Sequence, residues 1–243
     1  MHFGLIGKSL KHSFSADFFA KKFEALKVDH QYNLFELSDI AAFEKLCDDS
    51  KLGGLNVTIP YKQAIIPFLD ELSPEAEAIG AVNTVDFRQG KKIGHNTDAA
   101  GFEHSLHLWY PNEAIKKAMI LGDGGAAKAV AFALQKNGFD FEIVSRKKQE
   151  NNLEWHQLNS AMTSNFPLWI NTTPVGTFPN TNEYLPLPYT DFSTKNFYFD
   201  LIYNPTETAT AMKLATQGVT IQNGLDMLYA QAEKSWEIWM SED

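Results

Sequence analysis

The chain has little of what an exported or membrane-spanning protein needs. It contains one cysteine, Cys47, which excludes an internal disulfide framework and favours a reducing compartment. No apolar run approaches the roughly 20 residues of a membrane helix, and residues 1–10 lack the long apolar stretch of a signal peptide. The sequence therefore predicts a cytoplasmic protein without a membrane partner.

Positive charge is also scarce. The formal net charge is −9 at pH 7, and this disfavours nucleic acid as a partner because a phosphate-binding surface needs a dominant basic face. Of the 21 cationic residues, only Arg88 and Arg146 are arginines. Each of these two positions is therefore worth testing for a specific contact.

What the chain does have is a regular alternation of strands and helices. With 243 residues, 44% of them hydrophobic, it can form one large or two modest cores. Apolar runs predict strands at 3–7, 32–37 and 54–59, with helices near 15–27 and 38–47. The alternation restarts near residue 99. Residues 114–148 are predicted to form a strand, a glycine-rich turn, a helix and a second strand, and further strands are predicted at 167–171, 196–201 and 218–222, with a helix from 224. This pattern predicts two α/β domains with a cleft between them.

The segment NVTIPYK, residues 56–62, runs from a buried strand through a proline to a lysine. Pro60 has no N–H to continue a sheet ladder, so the strand ends there and Lys62 emerges at its carboxyl edge. Open α/β sheets bind ligands at that edge. The alternative interpretation is a surface lysine that opens the next helix.

Further polar residues are predicted at strand ends of the same domain. Ser13 and Ser15 follow the first strand at the start of a helix, where two hydroxyls can bind a carboxylate or, in the alternative interpretation, cap the helix. A hairpin around residues 89–90 delivers Asn83 at one end and Asp98 at the other. A polar cluster that faces the cleft explains these positions better than separate structural roles.

The segment LGDGGAAKA, residues 121–129, is the most specific local signal. Gly122, Gly124 and Ala127 match the dinucleotide pattern G-x-G-x-x-A, directly after an apolar strand and before a helix. An ordinary tight turn is the alternative. Asp123 is unusual in such a loop, because a carboxylate repels a pyrophosphate unless it points away.

The residues after the next strand indicate which dinucleotide is bound. An NAD site places an acidic residue about 20 residues beyond the glycines, whereas this chain has Ser145, Arg146, Lys147 and Lys148 there. Adjacent cations favour the 2′-phosphate of NADP(H), and the arginine suits forked contacts to it. A solvated basic turn is the alternative.

The chain resembles shikimate dehydrogenases along nearly its whole length. The resemblance rests on nine short motifs in the expected order: HSFS, NVTIPYK, GAVNT, NTD, GDGGA, SRK, NTTPVG, DLIYNPTET and NGLDMLYAQA. It implies a substrate-binding domain of residues 1–98 plus 224–243 and a Rossmann-like NADP-binding domain of residues 99–223. It also implies the reversible, NADPH-dependent reduction of 3-dehydroshikimate to shikimate in aromatic amino-acid biosynthesis. The expected assembly is a monomer or homodimer.

The resemblance carries roles onto individual residues. It implies that substrate is bound by Ser13, Ser15, Thr58, Lys62, Asn83, Asp98, Tyr203 and Gln231. It implies that NADP(H) is bound by Gly122, Gly124, Gly125, Ala126, Ser145, Arg146, Lys147, Thr172, Leu201, Gly224 and Met227. Lys62, paired with Asp98, would protonate the alkoxide that forms when hydride reaches the ketone.

Some features depart from the family pattern or leave alternatives open. Ala16, Asp123 and Lys147 differ from it, and the last two put the strength of the NADP preference in question. A quinate-directed or NAD-using relative and a non-catalytic nucleotide sensor are the alternatives, although a sensor does not require the lysine and aspartate together. No metal site is expected, because His104 and His107 lack the zinc-protease spacing and are expected to be exposed on a helix.

Overall fold

The apolar runs form two separate six-stranded sheets in the computed structural model, which describes residues 1–10, 13–111, 114–146 and 152–241. Contacts divide the chain into two units. Unit 1 comprises Met1–Thr97 and Gln231–Asp243, and unit 2 comprises Asp98–Ala230. The predicted α/β class with two domains is confirmed, and each unit is described below by itself.

Unit 1 contains short strands and helices that alternate as the hydrophobic pattern indicates. In chain order its elements are β1 (His2–Gly7), α1 (Phe14–Leu26), β2 (Gln31–Glu36), α2 (Phe43–Leu46), β3 (Leu52–Val57), α3 (Tyr61–Ala64), β4 (Glu71–Leu72), α4 (Pro74–Ile79), β5 (Thr84–Asp86) and β6 (Ile93–His95). The helix predicted at 38–47 is a 3-10 turn, Ile40–Ala42, followed by the single turn of α2.

The sheet of unit 1 is mixed, in the order β2-β1-β3-β5-β6-β4. Strands β2, β1 and β3 are parallel, whereas β5 runs antiparallel to both β3 and β6. The predicted hairpin is therefore present as β5 and β6, joined through a 3-10 turn at Arg88–Gly90. Because β5 runs backwards, its amino end lies at the same sheet edge as the carboxyl ends of β1, β3 and β6.

Unit 2 begins with α5 (Asp98–Trp109). It continues with β7 (Lys117–Leu121), α6 (Gly125–Lys136), β8 (Asp140–Ser145), β9 (Leu153–Glu154), α7 (Ser160–Asn165), β10 (Leu168–Asn171), β11 (Phe197–Asp200), α8 (Ala209–Ala215), β12 (Thr220–Gln222) and α9 (Leu225–Met240). Helix α9 passes from unit 2 into unit 1 at Gln231. The four residues of β10 are fully buried, as expected for a central parallel strand covered on both faces.

All strands of unit 2 are parallel and lie in the order β9-β8-β7-β10-β11-β12. Counted from β7, this is the 3-2-1-4-5-6 order of doubly wound dinucleotide-binding sheets. The strand order reverses between β7 and β10, so the switch point lies where these two strands end. The predicted Rossmann-like sheet is confirmed.

The second half of α9 is fixed on the sheet of unit 1 by specific contacts. The Trp239 indole donates to the Val85 carbonyl at 3.0 Å, and its ring stacks on Phe3 with centroids 4.9 Å apart. At the end of the helix, Arg88 pairs with Asp86 at 2.7 Å and donates to the Ser241 carbonyl. One of the two arginines therefore anchors a helix terminus, where a cation is favourable.

Candidate active site

The polar residues predicted in unit 1 emerge at one edge of its sheet. Thr58 follows β3, and the chain turns there because the Tyr61 N–H donates to the Thr58 carbonyl at 2.9 Å. Lys62 lies in the next turn, α3, with a partly exposed side chain. Asn83 immediately precedes β5, and its carbonyl accepts the Val57 N–H at 2.8 Å. The strand ends thus bring three predicted residues to one edge.

Two predicted amides, Asn83 and Gln231, contact each other at 3.4 Å and share a third partner, Thr97, that sequence reasoning did not select. Thr97 donates its N–H to Asn83 Oδ1 at 2.7 Å and accepts from Asn83 Nδ2 at 2.9 Å. Its hydroxyl also lies 3.4 Å from Gln231 Oε1. The quoted motif NTD contains this threonine, so its position between two predicted residues was the available signal.

Ser235 lies one helical turn beyond Gln231 and is fully buried. Its hydroxyl donates to the Gln231 carbonyl at 3.0 Å and accepts from Asn56 Nδ2 at 3.0 Å. It is also 2.8 Å from the Thr84 hydroxyl. These hydrogen bonds between uncharged groups hold α9 against β3 and β5. They therefore fix the position of Gln231 relative to these strands.

The two predicted serines have different surroundings. Ser13 is the N-cap residue of α1, yet its hydroxyl makes no capping bond and is a buried polar atom without a partner among the described residues. Ser15 hydrogen-bonds the Tyr32 hydroxyl, which in turn donates to Asn56 Oδ1 at 2.7 Å. Burial raises the pKa of Tyr32, so it remains a neutral donor. Of these two serines, Ser13 is therefore the one whose hydroxyl a ligand would satisfy.

Asp98 is the first residue of α5 and is 6% exposed. It belongs to unit 2, whereas Lys62 belongs to unit 1. The predicted proton-transfer pair of these two residues stays a prediction.

In unit 2 the glycine loop lies at the switch point of the sheet. Gly122 follows β7 with φ of +114°, a conformation that side chains rarely adopt, and a Cβ there would lie 2.6 Å from Thr172 Oγ1. Thr172 follows β10 and donates its hydroxyl to the Leu121 carbonyl at 2.8 Å. The glycine therefore permits a close approach between the loops after β7 and β10.

Gly124, in contrast to Gly122, faces open space. It is the N-cap residue of the twelve-residue helix α6, and a Cβ placed on it would meet nothing within 4 Å. Gly125 and Ala126 open the helix, whereas Ala127 is buried against the sheet. Open space in front of helix N-terminal amides suits a bound pyrophosphate. Asp123 is exposed in the same loop.

The predicted cofactor residues follow the carboxyl ends of five parallel strands. Ser145 ends β8 with its hydroxyl buried and accepting from Asn152 Nδ2 at 3.3 Å, and exposed Arg146 follows it. Lys147 lies outside the described residues. The five strand ends lead to Gly122, Arg146, Thr172, Leu201 and Gly224.

Gly224 lies directly against the neighbouring loop. Its N–H donates to the Ile202 carbonyl at 3.1 Å, and a Cβ there would collide with the Leu201 carbonyl. Met227, in the first turn of α9, is 7% exposed. Tyr203 is partly buried, and this burial raises its pKa.

Sequence reasoning also missed a buried carboxyl group beneath these loops. Asp200, the last residue of β11, is 1% exposed, and burial raises its pKa although several groups donate hydrogen bonds to it. The motif DLIYNPTET begins with this residue, but nothing in the sequence alone distinguishes a buried aspartate from an exposed one.

Other reactive side chains have ordinary structural roles. Burial raises the pKa of Cys47 to about 11, so the group is a thiol at neutral pH. His104 and His107 are exposed on α5, as predicted. Among the described residues, no group of three or more His, Cys, Asp and Glu side chains could hold a metal, and no helix is long and apolar enough to cross a membrane.

A parallel sheet in doubly wound order, with a glycine loop at its switch point and an open helix N-terminus, defines the class of dinucleotide-binding α/β proteins. Comparison with known proteins identifies one family within this class. Residues 5–85 match the family model described as the shikimate dehydrogenase substrate binding domain. The NADP(+) shikimate dehydrogenase of Methanococcus maripaludis is 35% identical, over 97% of this chain and 90% of that protein.

Solved structures agree with the sequence comparison. Shikimate dehydrogenase from Aquifex aeolicus superposes with a TM-score of 0.88 at 32% identity, over 99% of this chain and 92% of that one. The enzyme from Thermus thermophilus, in complex with NADP(H) and shikimate, gives a TM-score of 0.86 at 31% identity, over 99% and 93% of the two chains. The chain belongs to the shikimate dehydrogenase family.

Proposed function

We propose that this protein is an NADP-dependent oxidoreductase that reversibly reduces 3-dehydroshikimate to shikimate. One observation carries the proposal. In a chain of this family, the predicted cofactor residues follow the carboxyl ends of five parallel strands in doubly wound order. Ligands of such sheets bind outside those strand ends, at the switch point.

The cofactor assignment to unit 2 rests on backbone shape and charge. The open space at Gly124, in front of the first amides of α6, fits a pyrophosphate group. Arg146 follows β8, where a 2′-phosphate would be recognised. NADPH supplies a hydride to the substrate ketone when it is bound.

The substrate assignment to unit 1 rests on polar groups at one sheet edge. Ser13 offers a buried hydroxyl without a partner among the described residues, which suits a substrate carboxylate. Asn83 and Gln231 are held through Thr97 and suit the ring hydroxyls. Thr58 of unit 1 is assigned to the same substrate, and Tyr203, which belongs to unit 2, stays a predicted substrate residue.

Lys62 and Asp98 are assigned to the proton transfer. A ketone that receives hydride becomes an alkoxide, and the Lys62 ammonium would donate the proton that completes the alcohol. Asp98 supplies the carboxylate that is assigned to the same proton transfer. In the reverse direction the neutral lysine would accept the hydroxyl proton.

The test is NADPH consumption by the purified protein with 3-dehydroshikimate, measured beside 3-dehydroquinate and beside NADH. We expect rapid oxidation of NADPH with 3-dehydroshikimate and much slower turnover in the other three combinations. Turnover only with 3-dehydroquinate would identify a quinate-directed enzyme, and no turnover with either acid would refute the proposal. The cytoplasmic location and the monomeric or homodimeric state stay predictions, which cell fractionation and light scattering test.

A further inference from the structure

Asp200 is a hydrogen-bond centre beneath the loops at the carboxyl edge of the unit 2 sheet. Its Oδ1 accepts from Asn171 Nδ2 at 2.9 Å and from the Ile202 N–H at 3.1 Å. Its Oδ2 accepts from the Thr208 hydroxyl at 2.7 Å and from the Tyr198 hydroxyl at 3.4 Å. The Asp200 side chain therefore accepts hydrogen bonds from β10, from β11 and from the loop that follows β11.

Through Asn171, this centre shapes the loop after β10. Because Asn171 Nδ2 donates to Asp200, its Oδ1 faces the other way and accepts both the Thr173 N–H at 2.9 Å and the Thr173 hydroxyl at 2.7 Å. Thr172 lies between these residues and donates to the Leu121 carbonyl at the switch point. The position of Thr172 thus depends on bonds that lead back to Asp200.

Through Ile202 and Thr208, the same carboxyl group shapes two further segments. The Ile202 N–H bonds Asp200, and the Ile202 carbonyl accepts the Gly224 N–H at 3.1 Å. Thr208 donates to Asp200 and accepts the Ala211 N–H at 3.2 Å, which caps α8. The loops after β10, β11 and β12 are therefore joined at one buried residue.

We propose that Asp200 is a positioning residue for the cofactor site: it holds the loops that carry Thr172, Leu201 and Gly224 in the conformation that binds NADP(H). This inference rests on the proposed function, because it assigns those loops to the cofactor. Asp200 is 1% exposed and contributes through the loops, without contact to the cofactor.

The role requires acceptors more than it requires a charge. A carboxylate offers lone pairs on both oxygens, which matches the four donors around it. In Asp200→Asn, the amide oxygen can keep Asn171 and Ile202, and the amide nitrogen faces two hydroxyls that can act as acceptors. Asp200→Ala removes all four bonds and leaves the buried donors without a partner.

The chain offers a matched control at the opposite end of the same strand. Asn196 precedes β11, is 3% exposed, donates to the Thr163 carbonyl at 2.8 Å and accepts the Ser193 N–H at 3.0 Å. Its bonds lie at the amino edge of the sheet, away from the cofactor loops. Asn196→Ala therefore removes a buried hydrogen-bonding side chain of unit 2 without disturbing those loops.

The experiment is a fluorescence titration of the full-length protein with NADPH, combined with thermal unfolding and steady-state kinetics. We expect Asp200→Ala to weaken NADPH binding by about tenfold or more, the effect of one lost hydrogen bond to a charged group. We expect Asp200→Asn to stay within about threefold of wild type, since the amide oxygen keeps two of the donors and the amide nitrogen can donate to the two hydroxyls. The loss should appear in KM for NADPH and not in kcat at saturating NADPH.

The control decides between positioning and general stability. Asn196→Ala should lower the melting temperature while NADPH binding stays unchanged. Equal weakening by Asn196→Ala and Asp200→Ala would overturn the inference, as would wild-type affinity in Asp200→Ala. If Asp200→Ala does not fold, Asn171→Ala replaces it, and wild-type affinity in that variant would be the overturning result. A wild-type protein that binds no NADPH would instead refute the proposed function.

Discussion

The two units differ in what they present at their functional edges. Unit 1 presents side chains, and neutral amides and hydroxyls around Thr97 and Ser235 hold them in place. Unit 2 presents backbone, in the glycine loop and the first turn of α6, with a buried carboxyl group behind the neighbouring loops. A small polyhydroxylated acid needs many directed side-chain contacts, whereas a pyrophosphate needs close backbone approach. Substitutions at the edge of unit 1 should therefore affect substrate binding, and substitutions at the edge of unit 2 should affect cofactor binding.

The largest expected effect concerns chemistry and not binding. Lys62→Met should lower kcat by roughly 10² to 10⁴, which is the usual contribution of a positioned acid–base group. Lys45→Met is the matched control, because Lys45 is an exposed lysine of the same unit on α2. Steady-state kinetics of shikimate oxidation measure both. Wild-type turnover in a folded Lys62→Met variant would show that the proton has another source.

The next effect tests whether the backbone of the glycine loop in unit 2 binds the pyrophosphate. In Gly124→Ala the new Cβ meets no protein atom within 4 Å, so the fold should tolerate it. The same methyl group would occupy the space assigned to the pyrophosphate and should weaken NADPH binding roughly 5-fold to 150-fold, the range for overpacking. The melting temperature should change by no more than about 4 °C. Unchanged NADPH affinity would show that the pyrophosphate does not bind at this loop.

An effect of similar size should separate the two serines of unit 1. Ser13→Ala should weaken substrate binding by about 1.5 to 3 kcal/mol, because its orphaned hydroxyl is assigned to the carboxylate. Ser15→Ala should weaken it less and should lower stability, since Ser15 is already bonded to Tyr32. KM for shikimate and denaturant unfolding measure the two quantities. If Ser13→Ala instead lost stability with KM unchanged, helix capping would be its role.

The smallest effect concerns the charge of the buried Asp200 carboxyl group in unit 2. The hydrogen-bond network around Thr97 and Ser235 in unit 1 consists of uncharged amides and hydroxyls. Burial raises the pKa of Asp200 above its ordinary value of 3.8, so its contribution to stability is fully present below pH 3.8 and is lost as the pH rises through the folded-state pKa. Tyr198 beside it stays neutral, because burial raises its pKa as well. Relative to Asp200→Asn, the wild type should lose stability as the pH rises above 3.8, as measured by urea unfolding. A difference that stays constant as the pH rises would contradict the raised pKa.

Much of the fold could be predicted because periodicity and glycine spacing are local signals. The parallel strands of unit 2 and the loop at Gly122 follow from apolar runs and from a turn that requires positive φ. The helical stretch predicted near 38–47 is present as a 3-10 turn at Ile40–Ala42 that continues into the single α-helical turn Phe43–Leu46. Periodicity cannot distinguish these two geometries over so few residues.

The supporting network could not be predicted in the same way. Thr97, Ser235 and Asp200 act through partners that are distant in sequence, and Ser235 bonds Asn56 across most of the chain. Burial decides whether such a side chain is a hydrogen-bond centre or a solvated surface group, and burial is a property of the tertiary structure. Motif positions therefore indicated the residues assigned to ligands, but not the residues that hold them.

The most direct test of the assignment of substrate to unit 1 and cofactor to unit 2 is one set of kinetic measurements on three proteins. Wild type, Ser13→Ala and Arg146→Ala are each measured for KM of shikimate at saturating cofactor and for the ratio of kcat/KM with NADP+ to that with NAD+. Ser13→Ala should raise KM for shikimate and leave the cofactor ratio unchanged. Arg146→Ala should lower the ratio roughly 10-fold to 150-fold, through the loss of a charged hydrogen bond to the 2′-phosphate, and leave KM for shikimate unchanged. A wild type that favours NAD+, or either variant changing both quantities equally, would contradict the assignment of substrate to unit 1 and cofactor to unit 2.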